Sequence, residues 1–298
     1  MSAFDAAGEV TPVEIDDSGR SVSRAIWSSS EGRVGLAIAG LILGVVIFGR
    51  FLAPYSPTEI AVGPSVAGPS REHLLGTDEL GRDVFSRVLT GGDSIIIVPL
   101  LAAAVSLIVG GGLGMVGGYF GGRTDAVITR LFDFMLILPA LLLVLMLIVA
   151  FGSSVPVLVF TIGIVFVPRM GRIVRGATQA VIANDYIASA RARGESAPSI
   201  LVREVLPNIT GPTIADFALR VTYGVIFVST LSFLGLGTQP PAPDWGSMIA
   251  ESRSFIVVNP WATLAPVVCI AALSVSFNLI ADVSTGHLSR THASETAL

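Results

Sequence analysis

The sequence predicts an all-α integral membrane protein with six transmembrane helices, and three observations carry that prediction. Hydrophobic residues make up 52% of the 298 and charged residues only 13%, with a mean hydropathy of +0.77, outside the soluble globular range. Charge-poor stretches near the ~20 residues that a helix needs to cross a bilayer lie at 34–53, 94–118, 134–151, 155–170, 214–237 and 261–280. The third observation is where the arginines sit. With the amino terminus inside, cytoplasmic segments hold Arg20, Arg24, Arg33, Arg123, Arg130, Arg169, Arg172, Arg175, Arg191, Arg193, Arg203 and Arg290, twelve in all, against five outside at Arg50, Arg71, Arg82, Arg87 and Arg253. Arg220 falls within the fifth span. This bias obeys the positive-inside rule and predicts that both termini are cytoplasmic.

Composition also excludes chemistry. A net charge of −4 and a pI near 5.4 speak against a nucleic-acid partner. All eighteen basic residues are arginines, so the chain has no lysine for a phosphate-binding loop, a Schiff base or a Ser-x-x-Lys dyad. Energy from ATP must then come from another subunit. The one cysteine, Cys269, lies in the last apolar run, which leaves no intrachain disulfide and no cysteine cluster for a metal. It reads as a packing residue, and no metal site is expected.

Residues 1–31 are rich in Ser, Asp and Glu without helical periodicity and read as a disordered cytoplasmic tail. The membrane domain is expected over 32–283, with a second cytoplasmic tail at 284–298. The first apolar run has full spanning length and no small-x-small cleavage site, so it should stay as a membrane helix rather than be removed as a signal peptide.

An external segment, 54–93, follows the first span. It begins as Pro/Gly-rich coil and ends in His73-Leu74-Leu75-Gly76-Thr77-Asp78-Glu79-Leu80-Gly81-Arg82-Asp83-Val84-Phe85-Ser86-Arg87. This stretch resembles the Leu-Gly-Thr-Asp-x-x-Gly-Arg-Asp-x-x-Ser-Arg signature of the C-type permeases of dipeptide, oligopeptide and nickel importers, and matches it at every fixed position. Asp83 and Arg87 stand four apart and can pair on a short helix against the outer face, with Thr77 or Asp78 as its cap. Packing is the expected role of this element, and His73, without nearby ligands, reads as structural rather than metal-binding.

In the second span Gly110, Gly114, Gly118 and Gly122 recur every four residues, a spacing that puts small residues on one helix face for close backbone packing. Pro139 predicts a kink in the third span. The fourth, short and carrying Pro156 and Pro168, is tolerable because neighbouring helices can satisfy the freed backbone groups; it ends in a basic rim of Arg169, Arg172 and Arg175.

The polar loop 184–208 stands between two apolar runs. Ala188, Ala190 and Gly194 fall within one short helical pattern whose missing side chains suit close docking. Pro198 should break that pattern, a second short helix should run over 199–205, and Leu206-Pro207-Asn208 should stop it. Ala188-Ser189-Ala190, Gly194 and Leu206-Pro207 resemble the EAA loop of ABC-importer permeases, with Ala188 in place of the leading Glu and Ser189 in place of the middle Ala. That resemblance implies that Asp185, Tyr186, Ala188, Ser189, Ala190, Arg191, Arg193, Gly194, Leu206 and Pro207 couple the chain to an ATPase. An amphipathic helix lying on lipid headgroups is the competing reading.

At the inner end of the fifth span Asp216 and Arg220 stand four apart, where ionisable groups are expensive and should pair or face water. With Tyr223, Ser229 and Ser232 they are the candidates for a translocation path; hydrogen bonding between helices is the plainer role. The span leads into a third signature, Leu231-Ser232-Phe233-Leu234-Gly235-Leu236-Gly237-Thr238-Gln239-Pro240-Pro241-Ala242-Pro243-Asp244-Trp245-Gly246-Ser247-Met248, again similar to the C-type peptide and nickel permeases. Trp245, Met248 and Trp261 suit an outer membrane interface, with the loop 238–260 lying flat or re-entering there. Asn278 should bond a neighbouring helix. The chain end departs from the family, with Ala281-Asp282 where Gly-Asp is usual.

Taken over 32–280, the resemblance implies a type I ABC-importer transmembrane domain in a prokaryotic plasma membrane. It implies a second, B-type permease, one or two ABC ATPase subunits that bind ATP and Mg, and an extracytoplasmic substrate-binding protein. This chain would bind no cofactor and perform no catalysis. It would form a path for di- or oligopeptides, while haem, glutathione and nickel remain open as cargo. An ion-coupled secondary transporter would need more ionisable groups in its spans than Asp216 and Arg220, together with inverted repeats. A membrane hydrolase would need a motif such as His-Glu-x-x-His or Gly-x-Ser-x-Gly, and neither occurs.

Overall fold

The computed structural model describes residues 26–295, with side-chain surroundings described to residue 283. The amino-terminal tail up to residue 25, with Arg20 and Arg24, lies outside the described residues. The helices are α1 (Ser30–Leu52), α2 (Val84–Thr90), α3 (Asp93–Ser106), α4 (Gly112–Phe120), α5 (Gly122–Ile137), α6 (Ala140–Phe151), α7 (Val155–Ile182), α8 (Asp185–Ala192), α9 (Ala197–Ile200), α10 (Leu206–Asn208), α11 (Thr210–Phe233), α12 (Trp245–Ser252) and α13 (Trp261–Glu295). A π-helical turn, Leu107–Gly111, joins α3 to α4, and a second, Leu201–Val205, joins α9 to α10. Five of the continuous helical stretches are long and apolar enough to cross a membrane, and the pair α5 and α6, bent by 84° at their junction, makes six when counted as one span.

That bend exceeds the expected kink. Leu138 and Pro139 are both extended, so the chain leaves helical geometry completely. Twelve-residue α6 rises only about 18 Å at 1.5 Å per residue, too short to cross a hydrocarbon core of roughly 30 Å alone. The fourth span is longer than predicted: α7 runs for 28 residues, Pro156 sits harmlessly in its first turn and Pro168 inside it. The last span also continues, as one helix, to Glu295.

Helix α7 is the axis of the bundle, packed against α3, α4, α5, α6 and α11. Its approach to α4 is set by glycine. A Cβ on Gly110 would overlap the Val167 carbonyl, one on Gly114 the Gly171 carbonyl, and one on Gly118 would press on Thr178 and the Arg175 carbonyl. Gly122, the fourth member of the expected stripe, takes no part; with φ +52° it opens α5 in free space. Helix α1 buries Gly32, Gly35, Ala39, Ile42, Val46 and Gly49, residues spaced alternately three and four apart as one buried helix face requires, with Gly35 against Ser276 and Leu279 of α13 and Gly49 against Leu89 of α2.

Polar groups in the spans are mostly satisfied locally. In α11 Thr213, Thr222, Ser229 and Thr230 each donate to the carbonyl four residues back, so these hydroxyls close on their own helix rather than across helices.

Candidate functional site

The two ends of the bundle carry the site residues. At one end the chain leaves α7 and turns back through α8 toward α11. Ile187 and Ala190 of α8 are fully buried against Met170, Val174, Ile200, Leu201, Val205 and Ile209, which roots the short helix in the body. Its other face, with Asp185, Tyr186, Ala188, Ser189 and Arg191, is exposed. Ala190 therefore serves the chain's own core, a correction to its place among the docking positions. Gly194 ends the helix: Glu195 N–H donates to the Ala190 carbonyl at 3.2 Å and Gly194 N–H to that of Arg191 at 3.0 Å, the paired closure of a Schellman motif, in which a left-handed residue is required. Gly194 has φ +80° and meets open space.

Beyond it the structure departs from expectation. Pro198 lies in the first turn of α9 and starts a helix instead of breaking one, and Leu206-Pro207-Asn208 is the helical turn α10, separated from α11 by Ile209 alone. Leu206 and Pro207 are exposed. Arg191 and Arg193 already have partners in the chain. The Arg191 guanidinium stacks over the Tyr119 ring at 4.9 Å, and Arg193 donates to Glu195 at 2.7 Å. Burial, and secondarily the Glu204 carboxylate, hold the Tyr186 phenol above its ordinary pKa, so it is a neutral hydrogen-bonding group at pH 7.

Within the membrane region Asp216 and Arg220 form a buried bidentate pair, Arg220 Nη2 to Oδ1 at 2.6 Å and Nε to Oδ2 at 3.1 Å. The guanidinium also lies over the rings of Phe166 and Tyr223, and its Nη1 is buried without a partner. Asp216, Arg220 and Tyr223 share one face of α11 by their spacing of four and three. Ser229 and Ser232 do not join them: they fall on the far side of the helix, where Ser232 is buried against Gly237 and Gly246.

At the opposite end three of the four predicted outer-face charges, Asp78, Arg82 and Arg87, are brought together, with Asp78 accepting from both arginines. The expected Asp83–Arg87 pair does not form. Asp83 instead caps α2 by accepting from Ser86 N–H at 2.8 Å and contacts His73 Nδ1 at 2.9 Å; it, and not Thr77 or Asp78, is the cap. His73 thus has a structural partner. Arg82 and Arg87 reach a residue that sequence reasoning missed, Glu251 of α12, at 2.8 and 2.9 Å. Asn259, also missed, donates from one amide nitrogen toward the carbonyls of Ala67, Leu75 and Thr77.

Trp245 and Met248 are buried, the indole donating to the Val88 carbonyl at 2.7 Å, so they pack inside the protein and are not interface anchors; Trp261, half exposed, retains that character. Helix α12 of this loop packs against both α11 and α13. Among the described residues no group of three His, Cys, Asp or Glu is placed to hold a metal.

Comparison with known proteins places this geometry in context. Residues 110–291 match the family described as binding-protein-dependent transport system inner membrane component. The chain is 36% identical over 249 residues to the dipeptide transport system permease protein DppC of Alkalihalophilus pseudofirmus, covering 84% of this chain and 82% of that protein. It is 33% identical to the glutathione transport system permease protein GsiD of Pectobacterium atrosepticum, covering 91% and 92%. It is 36% identical to the probable D,D-dipeptide transport system permease protein DdpC of Escherichia coli K12, covering 81% of each.

Proposed function

The chain belongs to the binding-protein-dependent transport system inner membrane component family, and from that membership we propose that it is the permease subunit of an ABC importer that passes small peptides through the membrane. A second permease completes the path, ATPase subunits that bind ATP and Mg sit below, and an extracytoplasmic binding protein delivers the cargo. The end that carries α8 faces the cytoplasm with both termini, and the end that carries Trp245 faces outward.

One observation supports this reading above the rest. Helix α8 is anchored by Ile187 and Ala190 yet presents Asp185, Tyr186, Ala188 and Ser189 outward, and it is closed by a left-handed Gly194. A rigidly held, small-residue helix projecting from a bundle suits insertion into a cleft of a partner and the transfer of movement from that partner to α7 and α11.

Comparison of Gly194→Ala with Gly194→Trp tests it. Any side chain at φ +80° strains the backbone, by about 1–2 kcal/mol, so alanine carries that strain alone. Apart from its own chain neighbours nothing lies within 4 Å of the added Cβ, so the space at Gly194 is open, and a further loss with tryptophan is expected from a partner surface that closes over it. Gly194→Trp is expected to lose ATPase co-purification and peptide uptake, and Gly194→Ala to keep most of both. Equal behaviour of the two would remove α8 from coupling.

Orientation has its own test. In a Cys269→Ala background, Ser196→Cys should react with a membrane-impermeant maleimide only after the membrane is opened. Reaction in intact cells would invert the topology.

A further inference from the structure

At the Trp245 end, a cavity of about 710 Å3 opens between the end of α1, the coil that follows it, the starts of α3 and α7, and the 238–243 loop. Its size lies within the roughly 300–1,000 Å3 of small-molecule sites. The ion pair between Arg50 Nη2 and Asp93 Oδ2, at 2.7 Å, belongs to its wall.

This pair differs from the others at that end. Arg82 and Arg87 are sealed against Asp78, whereas the Arg50 and Asp93 side chains are 72% and 40% exposed. An exposed pair contributes only about 0–1 kcal/mol, so it can open for a ligand at little cost. Opened, it offers one cation and one anion side by side. Tyr55, Ser56 and Thr58 supply polar groups from the coil, and Thr238, whose Oγ1 is buried without a partner, supplies another from the opposite wall. Ile97, Val98 and Val155 form an aliphatic side.

We propose that this cavity receives a small zwitterion, its anionic end on Arg50 and its ammonium on Asp93, and that the occupant is a di- or tripeptide, an assignment resting on the peptide-importer reading above. A phosphoethanolamine headgroup shares the charge pattern and is the competing occupant that the two lipid compositions below distinguish. On that reading the cavity lies on the outward end, where a peptide released by its binding protein would be held before passage.

The test measures equilibrium binding of radiolabelled trialanine, N-acetyl-trialanine and trialanine amide to the assembled importer without its binding protein. The complex is held in nanodiscs of phosphatidylglycerol alone or with phosphatidylethanolamine. In wild type each blocked peptide should bind at least about tenfold more weakly than trialanine, the scale of one lost charge-assisted hydrogen bond. Asp93→Asn should erase the penalty for acetylation and keep that for the amide; Arg50→Gln should do the reverse.

Penalties that are absent, or unchanged in both variants, overturn the proposal. Retention of phosphatidylethanolamine that both variants abolish, without peptide binding in either lipid, overturns the peptide assignment. Receptor-driven uptake of trialanine by wild type, measured in parallel, separates the two claims. Uptake with a flat binding pattern sinks the cavity and keeps the importer reading. The selective pattern without uptake of any peptide keeps the site and sinks that reading.

Discussion

Gly114→Leu is expected to destabilise the folded protein severely, while Gly112→Leu, two residues away on α4, leaves it intact. A Cβ on Gly114 falls on the Gly171 carbonyl, and the atoms in its way are backbone of α7, which cannot rotate aside. Overpacking usually costs about 1–3 kcal/mol when side chains can yield; here the helices themselves must separate, along the face that Gly110 and Gly118 also hold. The cost should reach at least the upper end of that range, against a total stability of the order of 5–15 kcal/mol. Gly112 meets nothing within 4 Å of its would-be Cβ, and replacing a helical glycine there gains up to about 1 kcal/mol of helix propensity. Yield of monodisperse protein and thermal midpoint in detergent check both. If the two variants melted together, the close contact of α4 with α7 would be refuted.

The second large effect is expected at the buried ion pair of α11. Asp216→Leu leaves the Arg220 guanidinium buried with only the faces of Phe166 and Tyr223 beside it. Breaking such a pair costs about 3–5 kcal/mol, whereas replacing both partners by apolar residues of similar volume is often neutral. Asp216→Leu should therefore lower the thermal midpoint markedly, and Asp216→Leu with Arg220→Met should recover it. Uptake by the stable double variant then assigns the role: full transport means the pair serves the fold, and lost transport places it on the path. A single variant as stable as wild type would contradict the burial of the pair.

The apolar spans were legible in the sequence because a bilayer leaves the backbone few alternatives to helix over such lengths, whereas α8 ends before Gly194 and not at the break expected at Pro198. Distant partners were not legible. Glu251 meets Arg82 and Arg87 across more than 160 residues, and no local pattern encodes that meeting; the i,i+4 rule pointed Arg87 at Asp83, which the cap of α2 had already taken. The break at Pro139 was visible as a kink, but its angle depends on tertiary packing, with Phe132 lodged against Gly171 and Asp125 paired with Arg175. Ser229 and Ser232 were grouped with Asp216 by polarity, although counting at 100° per residue sends them to the other side of α11. Ala190 looked like a docking position because smallness alone does not say whether the space it leaves is filled from inside or outside.

The grip of Asn259 on the carbonyls of Ala67, Leu75 and Thr77 also bears on how the protein ages. Asparagine usually deamidates when the next residue's backbone nitrogen attacks its side-chain carbonyl, and the aspartate that results could only repel three carbonyl oxygens. The next residue here is Pro260, whose nitrogen carries no proton and cannot close that ring. The alternative, attack by the side-chain nitrogen on its own main chain, would require that nitrogen to leave the three acceptors that hold it. The clamp between these two segments is thus built from the amide whose surroundings shield it from slow chemical damage, a useful property for a part that is renewed only when the whole membrane protein is replaced.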